Sequence, residues 1–187
     1  MIKYISLIVI PLLLAGCSYT TKPDQDRGFA AVTSLSDFDG CYENCSSTDV
    51  YDRTCLSWKI WPDKFIEADM PDAVLVKASD THELTVSAYR QGHEVLRSTF
   101  KEGEHFVFKD GHIELEREYI GSGASEAGNV FIGLATTKSV LGVDANGEGR
   151  VDDSFSAAGT AFLVIPLAIS GSDIRKIKRK GASCNEH

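Results

Sequence analysis

Beyond residue 17 the sequence holds no amphipathic helix of ordinary length and no solenoid-type repeat, which sets aside helical bundles and stacked-repeat folds. Its N-terminal apolar run, Ile5 to Leu14, is interrupted by Ser6 and Pro11. That is well short of the roughly 20 residues a bilayer-spanning helix needs. There is no Gly-x-Ser-x-Gly, since Ser125 has Gly123 before it but Ala127 after it, and no phosphate loop or dinucleotide fingerprint. Catalytic groups could still assemble from distant positions, but none is marked by a linear motif, and the chain is not expected to be an enzyme. Positive charge is scarce. Lys and Arg number 19 against 27 Asp and Glu, for a net charge of −8. Such a surface is repelled by nucleic acid and by anionic lipid heads, so no nucleic-acid partner is expected. No histidine lies near Cys41-x3-Cys45, the only closely spaced cysteine pair, which leaves a zinc ligand set incomplete. No metal or cofactor is expected.

What is present begins with an address. Lys3 gives a short positive start, and Ile5 to Leu14 has the length of a signal-peptide core. Leu14-Ala15-Gly16-Cys17 then places two small residues directly before a cysteine. This resembles the lipobox of bacterial lipoproteins. The resemblance implies cleavage before Cys17 and diacylglyceryl attachment to its thiol, with residues 1–16 as the signal peptide. It also implies a bacterial cell-envelope location, with the membrane as a partner through the lipid. Ser18 follows the cysteine where aspartate would stand in inner-membrane members, and the sorting rule of enterobacterial lipoproteins then implies the outer membrane. One acyl chain binds a bilayer marginally, at about 0.8 kcal/mol per buried methylene, whereas several on one residue anchor firmly. Only Lys3 is charged in the removed segment, so the mature chain is more acidic still. Residues 17–36 read as a lipidated N-terminus and flexible tether, Thr20 to Asp26 being polar. Residues 37–187 read as a single β-rich domain with a basic C-terminal tail.

The other four cysteines, Cys41, Cys45, Cys55 and Cys184, are disulfide candidates, because the bacterial periplasm is oxidising. Three pairings are possible. Joining Cys184 to one of the others would pin the end of the chain to the start of the domain.

The domain reads as strands of period two. Gly40-x-Tyr42 resembles the Gly-x-Trp start of the first strand in lipocalin-like barrels, with Tyr42 in the tryptophan's place. Ala73 to Ala78 alternates, with Val74 and Val76 on one side and Leu75 on the other. Leu84, Val86 and Ala88 follow, and Gln91-Gly92 turns the chain back through His93 to Phe100. Asp110-Gly111 is a strong two-residue turn signal. It pairs Lys109 with His112, Phe108 with Ile113, Phe106 with Leu115 and His105 with Glu116. Gly121 to Asn129 is expected as a loop. Val130 to Thr136, Lys138 to Asp144 and Arg150 to Ser156 are expected as three further strands. Ala161 to Ile165, apolar on both parities, is expected as a central strand. With about nine or ten short strands and little helix, the fold class is all-β: an antiparallel meander closed as a lipocalin-like barrel or folded as a sandwich.

Several residues invite chemistry. Trp58 and Trp61, the only two tryptophans, lie in a short segment ended by Pro62. They are expected to pack as a lid or plug, and they are the candidates for contact with a ligand or partner. Asp144 to Glu148 resembles the start of a calcium loop, but Phe155 stands where the final acid belongs, so Asn146-Gly147 is read as a hairpin turn. His105 and Glu116 suit an acid-base pair, yet an ordinary cross-strand contact is the simpler reading. Glu114, Glu116 and Glu118 read as an exposed face that resists aggregation. The functional expectation is a lipid-anchored, non-enzymatic envelope protein that binds or supports an outer-membrane or periplasmic component. The alternatives are a carrier of a small apolar ligand inside a barrel and an envelope-polymer hydrolase.

Overall fold

A computed structural model describes residues 17–24, 26–47, 54–124, 130–161 and 165–184. The expected signal peptide and His187 lie outside them. The fold is all-β and built from two sheets. The larger has six strands: β1 (Cys17–Thr21), β6 (Val107–Lys109), β7 (His112–Ala124), β8 (Val130–Val143), β9 (Gly149–Ala161) and β10 (Ile165–Ile177), in the spatial order β1-β10-β9-β8-β7-β6. The smaller has five: β2 (Gly40–Glu43), β3 (Ala73–Asp80), β4 (Glu83–Arg90), β5 (His93–Lys101) and β11 (Arg179–Gly181), ordered β11-β2-β3-β4-β5. All neighbours are antiparallel except β1, which runs parallel to β10.

Local turn chemistry accounts for the hairpins. Gln91 and Gly92 have φ of 51° and 77°, and Asp110 and Gly111 have 52° and 79°. Positive φ at both central residues is the turn whose twist matches its flanking strands. The predicted register holds at Lys109–His112 and Phe108–Ile113. The alternation of β3 and β4 also holds. Val74, Leu84, Val86 and Ala88 enter the main core, while Leu75 faces the other way, onto a second cluster with Cys41, Ala73, Tyr89 and Cys184. The main core lies between the sheets, where those side chains meet Ile113, Val143, Val151 and Ile177.

Of the two arrangements expected from the sequence, the sandwich is the one formed; among the described residues no sheet closes into a barrel. Closure would need a continuous ladder from β5 to β6. Instead a turn after β5, with Gly103 at φ 79°, carries the chain across to the other sheet. The Gly103 N–H donates to Phe106 O at 2.8 Å, and the His105 N–H to Lys101 O at 2.9 Å. Phe106 bridges to Glu102 rather than extending the hairpin, so β6 stops at Val107 and the expected register pairs Phe106–Leu115 and His105–Glu116 are not part of the ladder.

Other boundaries also differ. The two strands expected at Val130–Thr136 and Lys138–Asp144 are one, β8, which ends at Val143, because the alternation runs through Thr137 without a breaker. Gly121–Ala124 continue β7 rather than opening a loop; residues 125–129 lie outside the described set. Ala161 and Ile165 are register partners at the ends of two antiparallel strands, so the apolar run Ala161–Ile165 is not one central strand, and residues 162–164 are outside the description. The basic segment is not a loose tail. Arg175 and Lys176 belong to β10, Arg179 and Lys180 to β11, and the Arg179 guanidinium lies 5.7 Å from the Tyr42 ring centre. In the segment read as a tether, Cys17–Thr21 forms β1. Further on, Ala30 N–H donates to Val143 O at 2.8 Å, and Phe29 lies under the buried Arg150, which pairs with Asp26 and Asp152.

Two disulfides form, Cys41–Cys184 and Cys45–Cys55. The first joins β2 to the residues just after β11. The second closes the loop that leads into the one α-helix among the described residues, α1 (Leu56–Ile60).

Candidate functional site

α1 is only five residues long and has little intrinsic stability at that length. Its surroundings hold it. The buried Asn44 carboxamide accepts the Ser57 N–H at 2.9 Å and donates to Pro71 O at 2.9 Å, while Asn44 O accepts the Leu56 N–H at 2.7 Å. At the far end, Trp61 is buried. Its indole N–H donates to Ser98 Oγ at 2.9 Å, and its ring meets Phe65 and Phe100 at centroid distances of 5.9 and 6.1 Å. Trp61 is therefore the plug.

Trp58 faces elsewhere. It lines a cleft of about 560 Å³ between α1 and the larger sheet. That volume lies in the ordinary range of ligand-binding clefts, about 300–1,000 Å³. The floor is aromatic. Tyr19 on β1 and Phe155 on β9 lie 6.0 Å apart between ring centres, across Gly171 on β10. A Cβ at Gly171 would stand 2.6 Å from each ring, so only glycine lets both rings lie down over that strand. Charge gathers along one side. Lys59 Nζ lies 2.8 Å from Asp153 Oδ2, and Ser139 Oγ donates to Asp153 Oδ1 at 2.5 Å. Arg175 Nε lies 2.8 Å from Asp173 Oδ2. The cleft thus offers flat apolar faces beside a half-buried ion pair, an arrangement suited to holding a planar or apolar group with a polar end.

Of the sequence candidates, Trp58 is in this cleft, whereas Trp61 packs against Ser98 and Phe100 of β5 in the smaller sheet. Cys17 opens β1, two residues before Tyr19, as the register partner of Ile169. Tyr19, Lys59, Asp153, Phe155 and Gly171 were not expected. Tyr19 sits in the presumed tether and Phe155 between two serines, and no local pattern brings β1, β9 and β10 together.

The other motifs go separate ways. His105 accepts the Lys101 N–H on Nδ1 at 3.1 Å and packs edge-on to Phe100 at 5.6 Å. Glu116 is in register with Lys138, and the β6–β7 ladder ends at Val107–Glu114, short of the expected His105–Glu116 register pair. Glu114 lies 2.8 Å from Lys138 Nζ. Asp144 closes a turn: its Oδ1 accepts the N–H groups of Asn146 and Glu148 at 2.8 and 3.1 Å, and Lys176 Nζ lies 3.3 Å from Oδ2. Burial pushes this carboxyl's pKa up, but those two N–H groups and the lysine outweigh it and hold it below the usual value. Asp152 goes the other way, raised by burial that exceeds the pull of Arg150. Among the described residues, no group of three or more His, Cys, Asp or Glu is placed to hold a metal ion, and no helix is long and apolar enough to cross a membrane.

What the fold defines is a disulfide-braced, two-sheet β protein with an aromatic cleft under a short helix. No protein-family model, curated protein or solved structure matches the chain.

Proposed function

We propose that the protein is a lipid-anchored component of the bacterial envelope, held by Cys17, that acts without catalysis as the binding or structural partner of an outer-membrane or periplasmic component. The observation that carries the reading is the position of the cleft: its aromatic floor includes Tyr19, on the same short strand as Cys17. A partner seated against Trp58 is then held close to the membrane surface. Two disulfides in the fold support export to an oxidising space. The apolar cavity between the sheets, about 190 Å³, is smaller than typical ligand pockets of about 300 Å³ or more. That favours a partner at the cleft over a carried apolar molecule.

The test is affinity recovery from detergent-solubilised envelopes, comparing the native protein with Trp58→Ala. The same component is expected with the native protein in repeated preparations, and at least several-fold less with the variant. Recovery of the native protein always alone, or equal recovery with both, would refute the reading.

A further inference from the structure

The larger sheet outgrows the smaller one. Strands β7 to β10 have 13 or 14 residues each, whereas β2 to β5 have 4 to 9. The core between the sheets uses one half of the long strands, around Ile113, Val143, Val151 and Ile177. In the other half, Leu134 and Ile169 are 47% and 45% exposed, and Ala158 and Ala168 are exposed beside them.

Both faces of the sheet change polarity at the same height. On one face the register row Glu116–Lys138–Ser154–Ser172 gives way to Glu118–Thr136–Ser156–Ser170, rich in hydroxyls, then to Ile120–Leu134–Ala158–Ala168. On the other, Leu115–Ser139–Asp153–Asp173 gives way to Arg117–Thr137–Phe155–Gly171 with Tyr19, then to Tyr119–Ala135–Ala157–Ile169. Each face thus runs from charged to apolar, one through hydroxyls and the other through aromatics. Aromatic side chains between charged and apolar zones match the side-chain order across a membrane interface. A solvated sheet has no reason to become apolar on both faces at one level.

The register partner of Ile169 is Cys17. From this we infer that the apolar half of the larger sheet dips into the lipid layer that receives the acyl chains of Cys17, so that protein and lipid enter the membrane at one level. The inference rests on the lipid-anchor reading. Insertion is shallow. Among the described residues, β10 has no strand beside it beyond Cys17 on that side, and β7 has none on its outer side beyond Glu114. Open strand edges are not tolerated deep in hydrocarbon. The sheet therefore enters the lipid layer by its end and does not cross it. Because the chain is net acidic, binding needs no anionic lipid.

The test uses the mature lipidated protein in phosphatidylcholine–phosphatidylethanolamine vesicles. Single cysteines at Leu134→Cys, at Ile169→Cys and, as a control on the smaller sheet, at Val95→Cys are labelled with an environment-sensitive fluorophore. Nitroxide-bearing lipids are expected to quench the probes at 134 and 169 several-fold more than aqueous iodide does, with the reverse at 95. If mass analysis shows Cys17 acylated while iodide quenches all three probes, the insertion is refuted and the anchor stands. An unacylated Cys17 refutes the anchor itself, and the insertion that rests on it. Probes at 134 and 169 shielded from both quenchers, with a doubled mass by light scattering, would overturn insertion in favour of a second copy covering the same surface.

Discussion

At the scale of single residues, the buried polar groups set the pH response. Asp144 is fully buried and accepts two backbone N–H groups beside Lys176. Its pKa is lowered on folding, so its ionised form stabilises the native state at every pH above the unfolded value of about 3.9. That contribution is lost as pH falls from there through the folded value. Asp144→Asn is therefore expected to lower the urea midpoint at pH 7, and the gap between variant and native protein should close in acid below about pH 4. A gap independent of pH would show that the carboxylate charge is not what matters. The sequence pointed at this residue for its resemblance to a calcium ligand and also offered the correct bland reading, a turn. The lysine that neutralises it comes from β10, about 30 residues on, and no local pattern announces that.

At the scale of elements, two glycines separate backbone strain from packing. Gly147 and Gly111 have similar positive φ, 81° and 79°. A Cβ at Gly147 meets nothing within 4 Å, whereas at Gly111 it would stand 2.7 Å from Val32 O. Gly147→Ala is expected to cost about 1 kcal/mol, the penalty of the left-handed region alone. Gly111→Ala should cost about 1–2 kcal/mol more, because the 26–38 segment must also move off the turn. Chemical denaturation of both variants decides the matter, and equal losses would mean that the segment yields freely. The turns themselves were legible, since Gln-Gly, Asp-Gly and Asn-Gly between alternating strands carry their own geometry. Strand ends were not. Alternation reads continuously through Thr137, and the expectation of a break there came from spacing rather than from any residue that stops a strand. β1 was missed because a short polar strand is recognisable only by its partner, and β10 lies about 150 residues away.

At the scale of the whole molecule, the disulfides join what the hairpins cannot. Cys41–Cys184 spans 143 residues and Cys45–Cys55 only 10. Loop-closure entropy rises with loop length. The double variant Cys41→Ala/Cys184→Ala is thus expected to lose about 2–5 kcal/mol, more than Cys45→Ala/Cys55→Ala, as read by thermal or urea unfolding. A larger loss from the short loop would show that its main role is to hold α1 rather than to constrain the unfolded chain. The sequence by itself determined the all-β class, the hairpin turns, the inward parity of β3 and β4, and the even cysteine set, because each is fixed by neighbours within a few residues. Only the tertiary structure decided that the meander divides into two sheets, which cysteines meet, that Trp61 is buried while Trp58 faces a cleft, and that Tyr19 and Phe155 share its floor. Those outcomes depend on contacts between distant segments, whose free energies come from burial and register across the whole chain.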